Sequence, residues 1–277
     1  MIAVTGATGQ LGGRVARGLA ALGVPQRLVV RDPGRAPKLE QCEVVSVPSY
    51  GDTAAMRDGL RGIDTLFLVS GREQRDRVAE HVSAIDAAVA AGVERIVYTS
   101  FQAAAADTTF TFGRDHFHTE QHIRSTGLRS TFLRDNLYLD YIPLLVGEDD
   151  VIRGPAGSGR VAAVARDDVA DVAVGVLTTE GHDGQAYDVT GPEAFTLAEA
   201  AAELSRAWGR PIAYEAETLE AARAARAGSG AEAWEIEGWV TSYAAIANGD
   251  LEGVSDTVER IAGHRPISLA ELLRRTS

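Results

Sequence analysis

Short apolar runs alternate with amphipathic stretches through the first 134 residues, and this rhythm constrains the fold more than any other feature of the chain. The runs Met1 to Thr5, Leu28 to Val30, Val44 to Val47, Thr65 to Val69, Arg95 to Thr99 and Ser130 to Leu133 are rich in Val, Ile and Leu. Runs this brief that do not alternate with polar residues suit strands covered on both faces. After the first of them, Leu11, Val15, Leu19 and Leu22 fall on one helical face, with Arg14 and Arg17 on the other. Further helices are expected over Thr53 to Leu60, Arg75 to Ala91 and Asp115 to Thr126. Strand and helix in strict alternation predict an α/β fold, a doubly wound parallel sheet of the Rossmann type. Beyond Arg134 the rhythm changes. Gly154 to Gly159 reads as a turn-rich loop, the chain is mainly helical from Asp167 on, and Ala186 to Val189 is one strand expected to return to the sheet. Ala222 to Ala233 is expected to be a linker or a solvated helix.

Charge divides the chain at the same place. Residues 1–139 carry 16 basic and 15 acidic side chains, whereas residues 140–277 carry 11 and 24, so the net charge of −12 belongs to the second part. A surface of that sign repels phosphate backbones, which argues against nucleic acid and anionic membrane as partners. With 45% hydrophobic residues the chain can bury a full core, so disorder is excluded. A single cysteine, Cys42, excludes an internal disulfide and a multi-cysteine metal site, and a cytoplasmic location is expected. No apolar run approaches the roughly 18 residues of a membrane span.

Between the first strand and the first helix lies Gly6-Ala7-Thr8-Gly9-Gln10-Leu11-Gly12, glycines at G-x-x-G-x-x-G spacing. A tight turn that leads into a helix N-terminus lets backbone N–H groups approach a pyrophosphate, so a dinucleotide is expected there. The residue ending the second strand selects between the two nicotinamide cofactors, an acid holding the ribose 2′-hydroxyl and an arginine the 2′-phosphate. Here it is Arg31, followed by Asp32, with Arg35 and Lys38 close behind, which favours NADPH over NADH. The competing reading has Arg31 paired with Asp32, or Asp32 on the ribose. Residues 1–139 are thus expected to form the dinucleotide-binding domain and residues 140–277 a smaller, mainly helical substrate lobe.

These motifs, with Val30-Arg31-Asp32-Pro33, Tyr50-Gly51-Asp52, Tyr98-Thr99-Ser100, His116-x-x-x-Glu120, Thr131-Phe132-Leu133-Arg134 and Gly191-Pro192-Glu193, resemble the NmrA-like atypical short-chain dehydrogenases, nearest the type 2 NADPH:quinone oxidoreductases. The resemblance implies Gly6, Thr8, Gly9, Gln10 and Leu11 on the pyrophosphate, Arg31 on the 2′-phosphate and Tyr50 near the adenine, and the basic stretch after Arg31 adds Arg35 beside that phosphate. It implies Val69, Ser70, Gly71, Thr99, Ser100 and Phe101 around the nicotinamide, and His116, Phe117, Asn136 and Tyr138 toward a substrate. Two positions depart from the family pattern: Ser49 stands where relatives often have an acid, and Gln121 where the quinone reductases have a lysine.

The only lysine, Lys38, lies four residues after no tyrosine, so Tyr-x-x-x-Lys, the usual acid/base pair of short-chain dehydrogenases, is absent. Quinone reduction survives that loss, because a hydroquinone anion is far less basic than an alkoxide and takes its proton from water. An oxidoreductase acting on a neutral, flat, conjugated acceptor is therefore expected, with His116 the best catalytic candidate. A homodimer is compatible with the sequence. The alternative is a non-catalytic NADP(H)-binding sensor that regulates a protein partner. His118 and His122 share a helix face, but no third ligand accompanies them and no metal is expected.

Overall fold

The computed structural model describes residues 1–276. Seven strands form the main sheet, in the order β3-β2-β1-β4-β5-β6-β9: β1 Ile2–Thr5, β2 Gln26–Val30, β3 Cys42–Ser46, β4 Thr65–Leu68, β5 Arg95–Phe101, β6 Arg129–Asp135 and β9 Ala186–Val189. The pairs β1/β2, β1/β4, β2/β3 and β4/β5 are parallel, with Ile2 opposite both Gln26 and Thr65. The expected α/β fold is thus present, and the strand from the C-terminal half does join the sheet. Strand β1 is buried at every residue. A strand flanked by two others and covered on both faces must be apolar throughout, and this is why its run does not alternate.

Helices α1 (Gln10–Ala21), α2 (Thr53–Gly59), α3 (Arg77–Ala91), α4 (Thr111–Ser125) and α5 (Arg166–Thr178) accompany these strands. Met56 of α2, Ile85 and Ala88 of α3 and Ile123 of α4 join Ala3, Leu66, Leu68 and Ile96 of the sheet in one core cluster. Helix α1 buries Leu11, Val15 and Leu19, each worth about 1.5–3 kcal/mol when fully buried. Its Ala16 carbonyl accepts a 2.8 Å bond from Gln26 Nε2 at the start of β2. Arg14 of α1 pairs with Asp167, which together with Asp168 supplies acid to the first turn of α5, as their sequence position suggested.

The chain divides into two compact units that interleave in sequence. One comprises Met1–Phe101, Asp115–Arg134 and Asp167–Tyr187; the other comprises Gln102–Arg114, Asp135–Arg166 and the chain from Asp188 on. The second unit is not purely helical. Strands β7 (Val151–Gly154) and β11 (Ala213–Ala216) pair in parallel, and β8 (Arg160–Val161) and β10 (Phe195–Thr196) antiparallel. Helices α6 (Leu197–Trp208), α7 (Leu219–Arg226), α8 (Ala233–Ala247) and α9 (Leu269–Thr276) complete it. The expected linker therefore resolves into the end of α7 and a short turn before α8. Helix α6 begins with a reciprocal capping box between Thr196 and Glu199. No helix among the described residues is long and apolar enough to cross a membrane.

Candidate cofactor site

The reversal of strand order between β1 and β4 opens a crevice at their carboxyl ends, where open α/β sheets receive ligands. A cleft of about 350 Å³ lies there, lined by Gly6, Thr8, Gly9, Gln10, Leu11, Gly12, Arg31, Tyr50, Val69, Ser70 and Gly71 among others. Gly6 has φ +63°, a left-handed conformation that a side chain disfavours. Its carbonyl accepts the Gly9 N–H at 2.8 Å, closing the turn. Gly9 caps α1 with no side-chain bond, and the first turn of that helix holds no acid. The opening N–H groups of α1 and its positive dipole end are thus available to an anion, and the cleft fits a pyrophosphate.

Gly12 enforces the close approach. A Cβ there would lie 2.5 Å from the Gly6 carbonyl oxygen and 2.6 Å from that of Thr5, backbone atoms that cannot swing aside. Gly12→Ala is expected to cost about 1–3 kcal/mol through overpacking and to weaken nucleotide binding, read by thermal unfolding and fluorescence titration. An unchanged melting temperature with unchanged affinity would count against this account of the turn.

Arg31 lines the cleft just beyond β2. The Asp32 carboxylate accepts the Gly34 N–H at 2.9 Å and caps a short 3₁₀ turn, Pro33–Arg35, so it is engaged locally. Arg35 lies in that turn, exposed and outside the residues lining the cleft. The Tyr50 hydroxyl points inward, 2.7 Å from Thr5 Oγ1 and 2.8 Å from the Val69 carbonyl, and burial pushes its pKa up to about 12. Thr5 Oγ1 in turn donates to the Phe67 carbonyl and accepts the Val69 N–H. One buried hydroxyl thereby ties the ends of β1 and β4 together. Thr99 does the same for β4 and β5, accepting the Ser70 N–H at 2.7 Å.

Thr99, Ser100 and Phe101 are buried and do not line the cleft. Ser100 Oγ donates to Glu120 Oε1 at 2.6 Å, and Arg134 forks onto both Glu120 oxygens at 2.8 and 2.7 Å. The His116-x-x-x-Glu120 pattern is therefore two separate buried arrangements. His116 has neighbours on both ring nitrogens: Arg77 Nη2 lies 3.2 Å from Nε2 and the Tyr98 hydroxyl 3.1 Å from Nδ1. Because arginine only donates, Nε2 accepts and Nδ1 carries the proton. Burial first, then Arg77 and His81, hold its pKa well below the histidine range. The ring is 6% exposed, engaged at both nitrogens and outside the residues lining the cleft, so the structure holds it in the core, away from the position expected of a catalytic acid.

The same network reaches the cleft. Gly71 donates its N–H to His81 Nε2 at 2.9 Å, and its carbonyl accepts Arg77 Nε at 2.8 Å. His81 Nδ1 lies 3.0 Å from Thr119 Oγ1, and Arg77 is paired with Asp115 at 3.5 Å. Burial and then Arg77 push the His81 pKa down to about 3. Arg77 and His81, one helical turn apart on α3, were legible in the sequence only as an i, i+4 pair.

On the expected substrate side, Phe117 is half-buried, its ring against His118, and His122 pairs with Asp86. Asn136 is 1% exposed; its amide donates to Gln102 and to the Leu251 carbonyl, and its oxygen accepts the Leu137 N–H. Its groups are consumed within the chain, which corrects its placement on a substrate wall. The Tyr138 hydroxyl donates to Asp135, and the Arg166 guanidinium lies 4.4 Å from its ring centre. Cleft residues that the sequence reading had not named include Arg72, Gln74 and Glu80, which follow β4. Their signal was position, since they lie beyond the carboxyl end of a strand at the crevice.

A family described as NAD(P)H-binding matches residues 6–180. The chain is 35% identical to quinone oxidoreductase 2 of Escherichia coli (strain K12), over 98% of this chain and 96% of the relative. It is 34% identical to an NAD(P)H azoreductase of Xenophilus azovorans, over 99% and 97%. The crystal structure of the Escherichia coli NADPH-dependent quinone oxidoreductase complexed with NADPH superposes with a TM-score of 0.91 at 33% identity, covering 100% of this chain and 99% of that one. Matched in sequence and fold over nearly its whole length, and built around a helix N-terminus open to an anion, the chain belongs to the NAD(P)H-binding, NmrA-like family of oxidoreductases.

Proposed function

We propose that the chain is an NADPH-dependent reductase that passes hydride to a quinone-like or other conjugated small-molecule acceptor. The observation that carries the proposal is the cleft itself, where an uncapped helix N-terminus and Arg31 line one space while the Asp32 carboxylate is held by Gly34. Relatives named for quinone and azo reduction support the acceptor class, since both groups are conjugated and take two electrons.

In this reading Gly6, Thr8, Gly9, Gln10 and Leu11 hold the pyrophosphate, Arg31 binds the 2′-phosphate, and the Tyr50 ring packs toward the adenine. Val69, Ser70 and Gly71 flank the nicotinamide, with Thr99 behind Ser70 and Arg77 and His81 behind Gly71. When bound, NADPH supplies the hydride. The chain's part is to orient the two reactants, the contribution expected where no acid/base pair is at hand. His116 is engaged at both ring nitrogens, so in this reading the reduced acceptor takes its proton from water. The surplus acid of residues 140–277 disfavours anionic acceptors.

A panel of benzoquinones and naphthoquinones, followed by the loss of reduced-nicotinamide absorbance, tests this directly. Saturable NADPH oxidation with at least one member is expected. Saturable NADPH binding with no turnover of any quinone would remove the quinone-like acceptor from the proposal.

A further inference from the structure

Of the described residues lining the cleft, Glu80 is the one acid. Its presence needs a reason, because the ligand proposed for this cleft is a polyanion, and a carboxylate beside a phosphate is repelled. Glu80 sits in the first turn of α3, where acid also suits the helix dipole. The dipole accounts for the residue type at that turn, but does not by itself account for its carboxylate bordering the cleft.

Local packing identifies which end of the cleft it occupies. A Cβ placed on Gly51 would lie 3.7 Å from Glu80 Cγ, 3.9 Å from its Oε1 and 3.6 Å from Ser49 Oγ. Glu80 thus borders the Ser49-Tyr50-Gly51 turn that follows β3. That turn is tied to α3, since Ser83 Oγ lies 2.6 Å from Thr53 Oγ1 and 3.3 Å from the Gly51 carbonyl. Within the described residues the Glu80 carboxylate makes no hydrogen bond or ion pair. The residue before Tyr50 is Ser49, so the β3 end contributes no carboxylate of its own.

A dinucleotide carries no charge at its adenine, and the exocyclic amino group is the one strong donor on that ring. We propose that Glu80 reads the adenine, its carboxylate accepting a hydrogen bond from the N6 amino group, so that base selection is made from α3 rather than from the end of β3. The inference rests on the NADPH reading above, and its test separates the two.

Fluorescence titration compares NADPH with its reduced hypoxanthine analogue, in which a carbonyl replaces the amino group. The native chain is expected to prefer NADPH by roughly tenfold, the size of a charge-assisted hydrogen bond replaced by a carbonyl facing the half-buried carboxylate. In Glu80→Gln, whose amide can donate to the carbonyl, that preference should fall to within about twofold, with NADPH itself weakened roughly tenfold. Equal weakening of both nucleotides marks a structural role and overturns the inference. Tighter NADPH binding by the variant would mean that Glu80 repels the 2′-phosphate, and overturns it too. A native chain that binds both nucleotides alike overturns it without any variant. Failure of the native chain to bind NADPH overturns the proposed function first, and this inference with it.

Discussion

Replacing Arg31 by alanine is expected to weaken NADPH binding by roughly 30- to 100-fold while NADH binding changes by less than about threefold. The asymmetry follows from what surrounds the 2′ position. Arg31 lines the cleft beyond β2, and a guanidinium can fork onto a phosphate with two charge-assisted bonds. The Asp32 carboxylate, which would hold a bare 2′-hydroxyl, already accepts from Gly34 N–H. Arg35 lies outside the cleft lining and is not positioned to replace the lost charge. Parallel titrations of both reduced cofactors decide the matter. Equal loss for NADPH and NADH would show that Arg31 supports the cleft without clamping a phosphate.

Acid is expected to destabilise the fold well before carboxylate titration would do so. His81 is fully buried, accepts from Gly71 and has a pKa pushed down to about 3, against 6.5 for a free histidine. Between those values the unfolded chain binds a proton that the folded chain refuses. Stability is therefore complete above about pH 6.5 and falls as the pH drops toward 3. By pH 5 His81 alone removes about 2 kcal/mol, equivalent to roughly 4–8 °C in melting temperature for a chain of this size. His116, held down by burial and by Arg77, acts in the same direction. Burial raises the Asp115 carboxyl and opposes the slope, so the informative comparison is with His81→Gln, which keeps Asp115. An amide can still accept from Gly71 and donate to Thr119, and the variant should lose less stability between pH 7 and 5 than the native chain. An identical pH slope in the two would refute the assignment.

Both predictions draw on residues that the sequence exposes unequally. Arg31 was legible because its meaning is positional: it ends the second strand of an alternating pattern, about 20 residues beyond the glycine turn. The strands of the main sheet were legible for a similar reason, since β1, β4 and β5 are buried enough to be written as apolar runs. Strands β7, β8, β10 and β11 were not legible. β8 and β10 span only two residues each, and β7 and β11 leave part or most of their length exposed, so none of the four is written as an apolar run that local periodicity could report.

The polar residues mark the boundary most clearly. On paper His116 and Asn136 read as site residues and Glu80 does not, and the status of all three depends on partners that sequence neighbours do not reveal. Arg77, 39 residues away, closes one nitrogen of His116; Leu251, 115 residues away, takes the amide of Asn136. Among the described residues Glu80 keeps a carboxylate without a partner at the border of the cleft. The sequence by itself determined the order of strands and helices, the glycine turn and the arginine beyond β2, because each is a local pattern with a local physical cause. Only the tertiary structure decided which polar groups remain available to a ligand, because a buried donor or acceptor takes whichever partner the fold brings within reach.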